Sequence, residues 1–262
     1  MTENRRTLAE HAESKVPAVT LGFWAIKILA TTLGETGGDW VTMSLNLGYL
    51  VGTAIFAVIF VVLVSAQIRA NRFHPALYWA TIVATTTLGT TLADFADRSL
   101  GIGYPGGVTI ISVLLIASLA VWRRSEGTVS VESITTPRAE WFYWATILFS
   151  QTLGTALGDW LAGSDGGGMG LGYEYSAMIF GAGLVVVAAL YFWTRISRTA
   201  LFWAAFILTR PLGATVGDLL DKPVEQGGLH FSRLVASLVL LACIVAGVAL
   251  IPQRPARKGA VG

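Results

Sequence analysis

Charge is what this chain has least of. Only 13% of its 262 residues are Asp, Glu, Lys or Arg, against 54% hydrophobic, and its mean hydropathy is +0.64. Soluble domains carry about 25% charged residues, so this chain is short of groups to face water. Cysteine is nearly missing too. With Cys243 alone, a disulfide within the chain and a thiolate metal cluster are both excluded. The three histidines (His11, His74, His230) stand far apart with no His-x-x-x-His pair, which argues against a zinc hydrolase. No Gly-rich loop ends in Lys-Ser or Lys-Thr, and no Ser sits in a nucleophile context, so the expectation is not an enzyme. The basic residues gather where a membrane accounts for them, leaving no case for nucleic acid.

Long apolar runs are what the chain does have. Eight stretches approach the about 20 residues that a hydrocarbon core demands: 18–38, 47–68, 76–96, 104–122, 141–162, 171–193, 200–219 and 229–251. Residues 1–16 are polar and lead into a full-length span, so no cleaved signal peptide is read. One set of connections and the two ends carry thirteen cations: Arg5, Arg6, Lys15, Arg69, Arg72, Arg123, Arg124, Arg138, Arg195, Arg198, Arg254, Arg257 and Lys258. The opposite connections carry three, Arg98, Lys222 and Arg233. Cytoplasmic loops collect Lys and Arg, so both termini are expected in the cytoplasm of a multi-pass protein.

One pattern recurs four times. Trp24-Ala25, Leu33-Gly34 and Asp39 return as Trp79-Ala80, Leu88-Gly89 and Asp94; as Trp144-Ala145, Leu153-Gly154 and Asp159; and as Trp203-Ala204, Leu212-Gly213 and Asp218, always at the same spacing. The units divide the chain into a cytoplasmic tail (1–16), repeat one (17–75), repeat two (76–122), a cytoplasmic linker (123–138), repeat three (139–195), repeat four (196–252) and a basic tail (253–262). All four enter the membrane in the same direction, which predicts parallel repeats about an axis along the membrane normal. The expected fold class is all-α integral membrane, with eight transmembrane helices as four parallel pseudo-symmetric helical hairpins. The Trp residues are expected to be interface anchors at the cytoplasmic side.

Small residues four apart precede each Asp (Gly34/Gly38, Gly89/Ala93, Gly154/Gly158, Gly213/Gly217) and open each second span (Gly48/Gly52, Gly103/Gly107, Gly172/Ser176, Gly228/Ser232). Such pairs let membrane helices approach closely. A Tyr follows in three copies (Tyr49, Tyr104, Tyr173), while the fourth reads Leu229-His230.

Positions 3, 7, 11 and 15 after each Trp share one helix side. They read Lys27, Thr31, Glu35, Asp39; then Ile82, Thr86, Thr90, Asp94; then Ile147, Gln151, Thr155, Asp159; then Phe206, Arg210, Ala214, Asp218. A charge at mid-membrane costs at least about 2.5–3.5 kcal/mol, so Lys27, Glu35 and Arg210 are expected to turn inward. Arg210 is expected to pair with Asp218 or a neighbouring Asp. Carboxylate, amide and hydroxyl oxygens suit hard cations, so Asp39, Asp94, Asp159 and Asp218 are candidate metal ligands or proton carriers. Glu35, Gln151, Lys27 and Arg210 stand along the same path. The competing reading makes each Asp a helix cap that accepts bonds from the following Gly-rich turn. Asp97 and Asp221 are expected as solvated helix ends.

The Trp…Leu-Gly…Asp units resemble a family of bacterial integral membrane proteins defined by a tandem repeat of unknown function, over about residues 20 to 250. The resemblance implies four two-helix repeats and a bacterial inner (plasma) membrane location; it carries no binding residues. The function expected on the residues is an inner-membrane transporter or exporter of a hard cation, a Mn2+-like divalent preferred, with that ion as substrate rather than cofactor. Its other partner is the lipid bilayer. Two alternatives stand beside it: a non-transporting sensor or assembly protein with structural Asp residues, and a transporter of a small organic or anionic solute met by Lys27 and Arg210.

Overall fold

The computed structural model describes residues 14–256. His11, most of the N-terminal tail, Arg257 and Lys258 lie outside the described residues. All eight expected helices are present: α1 (Leu21–Asp39), α2 (Gly48–Arg69), α3 (Pro75–Asp94), α4 (Tyr104–Glu126), α5 (Pro137–Ala162), α6 (Tyr173–Trp193), α7 (Arg198–Asp221) and α8 (Arg233–Leu250). Among the described residues there is no strand, only a bridge between Pro17 and Pro255. Starts are set by side chains that satisfy free helix N–H groups: the hydroxyls of Thr20, Thr136 and Ser197 accept from Phe23, Ala139 and Ala200. Helices α1 and α3 continue past Asp39 and Asp94 into short π-helical turns, Trp40–Ser44 and Phe95–Ser99.

The helices form two layers. α1, α3, α5 and α7 make a closed inner ring in which each packs on its two neighbours and α7 packs on α1. The outer four do not lie along the inner helix of their own repeat. Each crosses to the next one: α2 covers α3, α4 covers α5, α6 covers α7, and α8 returns to cover α1. The four hairpins are therefore interleaved around the ring rather than self-contained.

Polarity follows the layers. Five helices are long and apolar enough to cross a membrane: α2, α4, α6, α7 and α8. α1, α3 and α5 fall short, and with α7 they are the helices that the outer layer covers. The outer faces are apolar where the inner ones are not, with Leu50, Val58, Val62, Ile116, Val185 and Val239 all exposed. A continuous apolar belt around a polar ring is the pattern of a membrane protein.

The repeat tryptophans are not interface anchors. Trp79, Trp144 and Trp203 are buried, and Trp24 is partly so. They close one end of the ring with Phe23, Tyr78, Tyr143, Phe202 and Phe206, mostly in edge-on and tilted contacts such as Trp79 on Tyr78 at 5.3 Å. Two indole N–H groups are satisfied in place, Trp203 by the Val129 carbonyl and Trp79 by Gln253, and the Tyr78 and Tyr143 hydroxyls meet at 2.7 Å. A ring of four helices that narrows on bulky aromatics excludes water there, and burial of this size outweighs the interface preference of Trp.

Both ends of the described chain meet beside this plug. Ala18 N–H donates to the Arg254 carbonyl at 2.7 Å and Ala256 N–H to Val16 at 2.8 Å. The linker is also folded into this end. Ile134 and Val131 are buried, and the Ser14 hydroxyl donates to Val131.

Candidate functional site

The small residues explain how four inner helices come close enough to share one site. The glycine of each Leu-Gly pair is a seat for the seventh residue after Trp in the next repeat. Gly34 receives Thr86, Gly89 receives Gln151, Gly154 receives Arg210, and Gly213 receives Thr31, closing the cycle. A Cβ on Gly34 would lie 2.9 Å from Thr86 Cβ, and one on Gly89 would lie 2.9 Å from the backbone at Gln151. One turn on, Gly38 receives Thr90, Gly158 receives Ala214 and Gly217 receives Glu35. Each pair therefore fixes both the spacing and the register of one ring contact.

Every polar member of the stripe is buried as a consequence. Lys27 and Arg210 are 0% exposed, Glu35 2%, Gln151 0%, and the four repeat Asp residues at most 5%. Arg210 does not reach Asp218. Its Nη2 donates to Glu35 Oε2 at 3.0 Å and to the hydroxyls of Thr90 and Thr155, so a residue from each inner helix meets in one layer. The expected partner is displaced by geometry: Arg210 seats on Gly154 and points into the layer of position 11, where Glu35 is the carboxylate. Lys27 has no carboxylate partner among the described residues. Its Nζ stands 3.4 Å from the Thr209 hydroxyl and 4.2 Å over the Phe206 ring.

The four Asp residues lie at the opposite end from the aromatic plug and are paired by cations of that same end. Arg98 binds Asp94 of its own repeat at 3.1 Å and Asp159 of the next at 3.0 Å. Lys222 binds Asp218 at 3.0 Å and also Asp39. Each cation stands four residues after its own Asp and spans the seam to the following repeat, so the ring has two bridged seams related by the duplication of a repeat pair. Burial opposes the charge on Lys222, but Asp218, Asp39 and Asp221 together raise its pKa well above the usual lysine value. It is held as the ammonium.

Asp39 and Asp94 make no side-chain cap bonds to the turns that follow them, so the expected capping role is not what holds these two. Asp97 and Asp221 are not solvated helix ends either. Asp97 lies against Gly107, and Asp221 accepts from Arg233 Nε at 3.2 Å. This end thus gathers six buried Asp carboxylates against Arg98, Lys222 and Arg233.

The fourth repeat departs from the others at the start of its outer helix. Ser232 precedes α8 as Gly172 precedes α6, because Phe231 N–H bonds Leu220 as Leu171 N–H bonds Leu161. Arg233 therefore takes the place of Tyr49, Tyr104 and Tyr173, rather than Leu229 as the glycine spacing suggests. Each first-turn residue belongs to the helix that covers the next inner one. Tyr49 OH accepts from Arg98 at 3.2 Å, and Arg233 stands 3.9 Å from Asp39. The departure leaves an outer pocket of about 410 Å³ lined by Ser44, Asp221, Pro223, His230, Phe231, Ser232 and Arg233.

Two groups of carboxylates come close enough to share an ion. One oxygen each from Glu35, Asp39 and Asp94 lie within 4.8 Å of one another, and so do oxygens from Asp39, Asp218 and Asp221. Asp39 belongs to both. Asp159 is in neither.

A repeat family described as Repeat of Unknown Function (DUF347) matches residues 22–73, 77–128, 142–197 and 201–251. The chain belongs to this family. No curated protein and no solved structure matches it. The DUF347 segments coincide with the four inner–outer helix pairs, so a DUF347 repeat here is one inner helix plus the outer helix that covers its neighbour. Sequence reasoning reached the Asp and Arg210 positions but missed Arg98, Lys222 and Arg233 as their partners. The signal was present: these are the three cations on the Asp-bearing side, and two stand four residues after a repeat Asp.

Proposed function

We propose that this DUF347 protein is a carrier for a hard cation, a Mn2+-like divalent first, in a bacterial inner membrane with the aromatic plug and both chain ends toward the cytoplasm. The observation that carries the proposal is the Asp39, Asp218 and Asp221 group, whose oxygens lie within 4.8 Å beside the outer pocket that Asp221 lines. Such oxygens suit Mg2+, Mn2+ or Ca2+ better than softer metals. Lys222 occupies the place between Asp39 and Asp218 as a tethered cation. An incoming divalent ion would displace its ammonium, and the ammonium would return when the ion leaves, so a cation stands between Asp39 and Asp218 in both states. The Glu35, Asp39 and Asp94 group one turn deeper provides a second station, with Asp39 shared between them.

Reconstitution in proteoliposomes tests this. Wild type is expected to move Mn2+ across the bilayer, Asp39→Asn to stop transport while the protein stays folded, and Lys222→Met to bind the metal more tightly and turn over more slowly. Normal transport by Asp39→Asn would sink the proposal. A second reading, a non-transporting bundle, is favoured by the bridging of each seam by Arg98 or Lys222, which is what a purely structural lock needs. It predicts that Mn2+ leaves thermal stability unchanged in every variant.

A further inference from the structure

The inner ring holds buried polar groups with no partner among the described residues. Arg210 spends Nη2 on Glu35, Thr90 and Thr155, while its Nε and Nη1, both buried, have no partner. Both amide atoms of Gln151 and the hydroxyl of Thr86, at the same register on α5 and α3, are also buried and unpartnered. One turn toward the aromatic plug stands the Lys27 ammonium, with Thr209 as its single hydrogen-bond partner. Below these groups the floor is apolar: Ile82, Ile147 and Phe206 are fully buried.

The charge of this layer does not close. Arg210 pairs with Glu35, while Lys27 reaches no carboxylate among the described residues. An uncompensated charge and unpaired polar atoms at that depth are expensive, and natural bundles keep such groups where a ligand, ion or partner meets them. A species that meets these groups is anionic to answer the cations, single in charge because Glu35 already pairs with Arg210, and small to lie among packed inner helices.

We infer that the inner ring binds a small monoanion, halide or short carboxylate, between Lys27 and Arg210, with Gln151 and Thr86 supplying neutral donors. Arg210 offers two N–H groups to the anion while Nη2 keeps Glu35, and Lys27 offers the opposing positive charge. This site is distinct from the outer carboxylates and goes beyond the cation reading.

Thermal unfolding of the purified full chain tests it, in sodium chloride and sodium acetate against sodium gluconate at equal ionic strength, with chelator present. Chloride or acetate is expected to raise the midpoint by about 3–5 °C when in about hundredfold excess over its dissociation constant. Lys27→Met should abolish the anion effect and unfold in gluconate no earlier than wild type, since it removes the charge that needs compensation. Gln151→Leu should shift the anion dependence to at least about tenfold higher concentration, one lost hydrogen bond to a charge. Equal midpoints for wild type in all three salts, or a full anion effect retained in Lys27→Met, overturn the inference. If Lys27→Met does not fold, bromide on the unmodified chain decides: an anomalous scattering peak inside the ring near Arg210 supports the site, and an empty ring in bromide crystals overturns it. Mn2+ titrated in gluconate probes the outer carboxylates without a small anion, so the two readings fail separately.

Discussion

The Arg98 guanidinium reaches the Asp159 carboxylate at 3.0 Å across the seam between the second and third repeats, while holding its own Asp94 at 3.1 Å. One side chain thus bridges two buried acids from adjacent inner helices. Removing one partner of a buried pair costs about 3–5 kcal/mol, and Arg98 is about a third exposed, so Arg98→Leu is expected to cost about 2 kcal/mol. Arg98→Lys should recover only part, because an ammonium lacks the two-sided fork. Chemical denaturation in detergent measures both.

Glu35 and Arg210 are deeper and have less help from solvent. Each single neutralisation, Glu35→Gln or Arg210→Gln, should destabilise the ring by about 3–5 kcal/mol. The double variant is expected to lie closer to wild type than either single one, as the remaining unpaired charge is then gone. Additive losses in the double-mutant cycle would show that the two do not act as a pair.

The glycine seats predict a graded response. Gly89→Ala places a methyl 2.9 Å from the backbone of Gln151 and Thr152, which cannot swing aside, so the α3–α5 contact must open. A loss of about 2–3 kcal/mol is expected, in the range of overpacked cores. Gly181→Ala meets nothing within 4 Å on the face of α6 and should be neutral or stabilise by up to about 1 kcal/mol. Thermal midpoints of the two variants give the comparison directly.

Stability should also depend on pH through Asp97, which follows α3 in the π-helical turn. Burial first, and the Asp159 carboxylate second, push its carboxyl up to about 7 against the opposing pull of Arg98. The folded chain therefore keeps a proton that the unfolded chain releases above about pH 4. Stability from this group is greatest below that pH and declines as pH rises toward 7. Asp97→Asn is expected to flatten that part of the midpoint-versus-pH curve and to raise the midpoint at pH 8. An unchanged slope would assign the dependence to other groups.

The repeat and its internal spacing were legible because both are properties of single chain segments. Trp24 to Asp39 is a spacing along one chain segment, and it survives into the structure intact. The identity of neighbours was less legible. Gly34 and Gly89 announced a close approach but not what approaches, since lipid and helix faces differ little in polarity and leave no periodic signal to name the partner. Hence Arg210 was matched with Asp218 or a neighbouring Asp rather than with Glu35.

Arg98 and Lys222 were visible in sequence only as exceptions to a charge count. Their position four residues after Asp94 and Asp218 is an ordinary same-face helical spacing, and with that applied the bridges to Asp159 and Asp39 follow once the ring closes. The Trp residues misled for a different reason. A place near a helix start does not say which side of the helix a Trp faces, and Trp79, Trp144 and Trp203 pack inward.

The pairing of Val16–Ala18 with Arg254–Ala256 carries a further meaning for the order of the chain. Because α8 covers α1 just as α2 covers α3, the ring has no first repeat in space, only in covalent sequence. A circular permutant that joins the paired ends through a short linker, and opens instead between Glu126 and Pro137, should insert and fold with the same ring. The covalent break would then fall between the two halves, which suggests how a gene for two DUF347 repeats, expressed as two copies, could have built the same bundle before fusion.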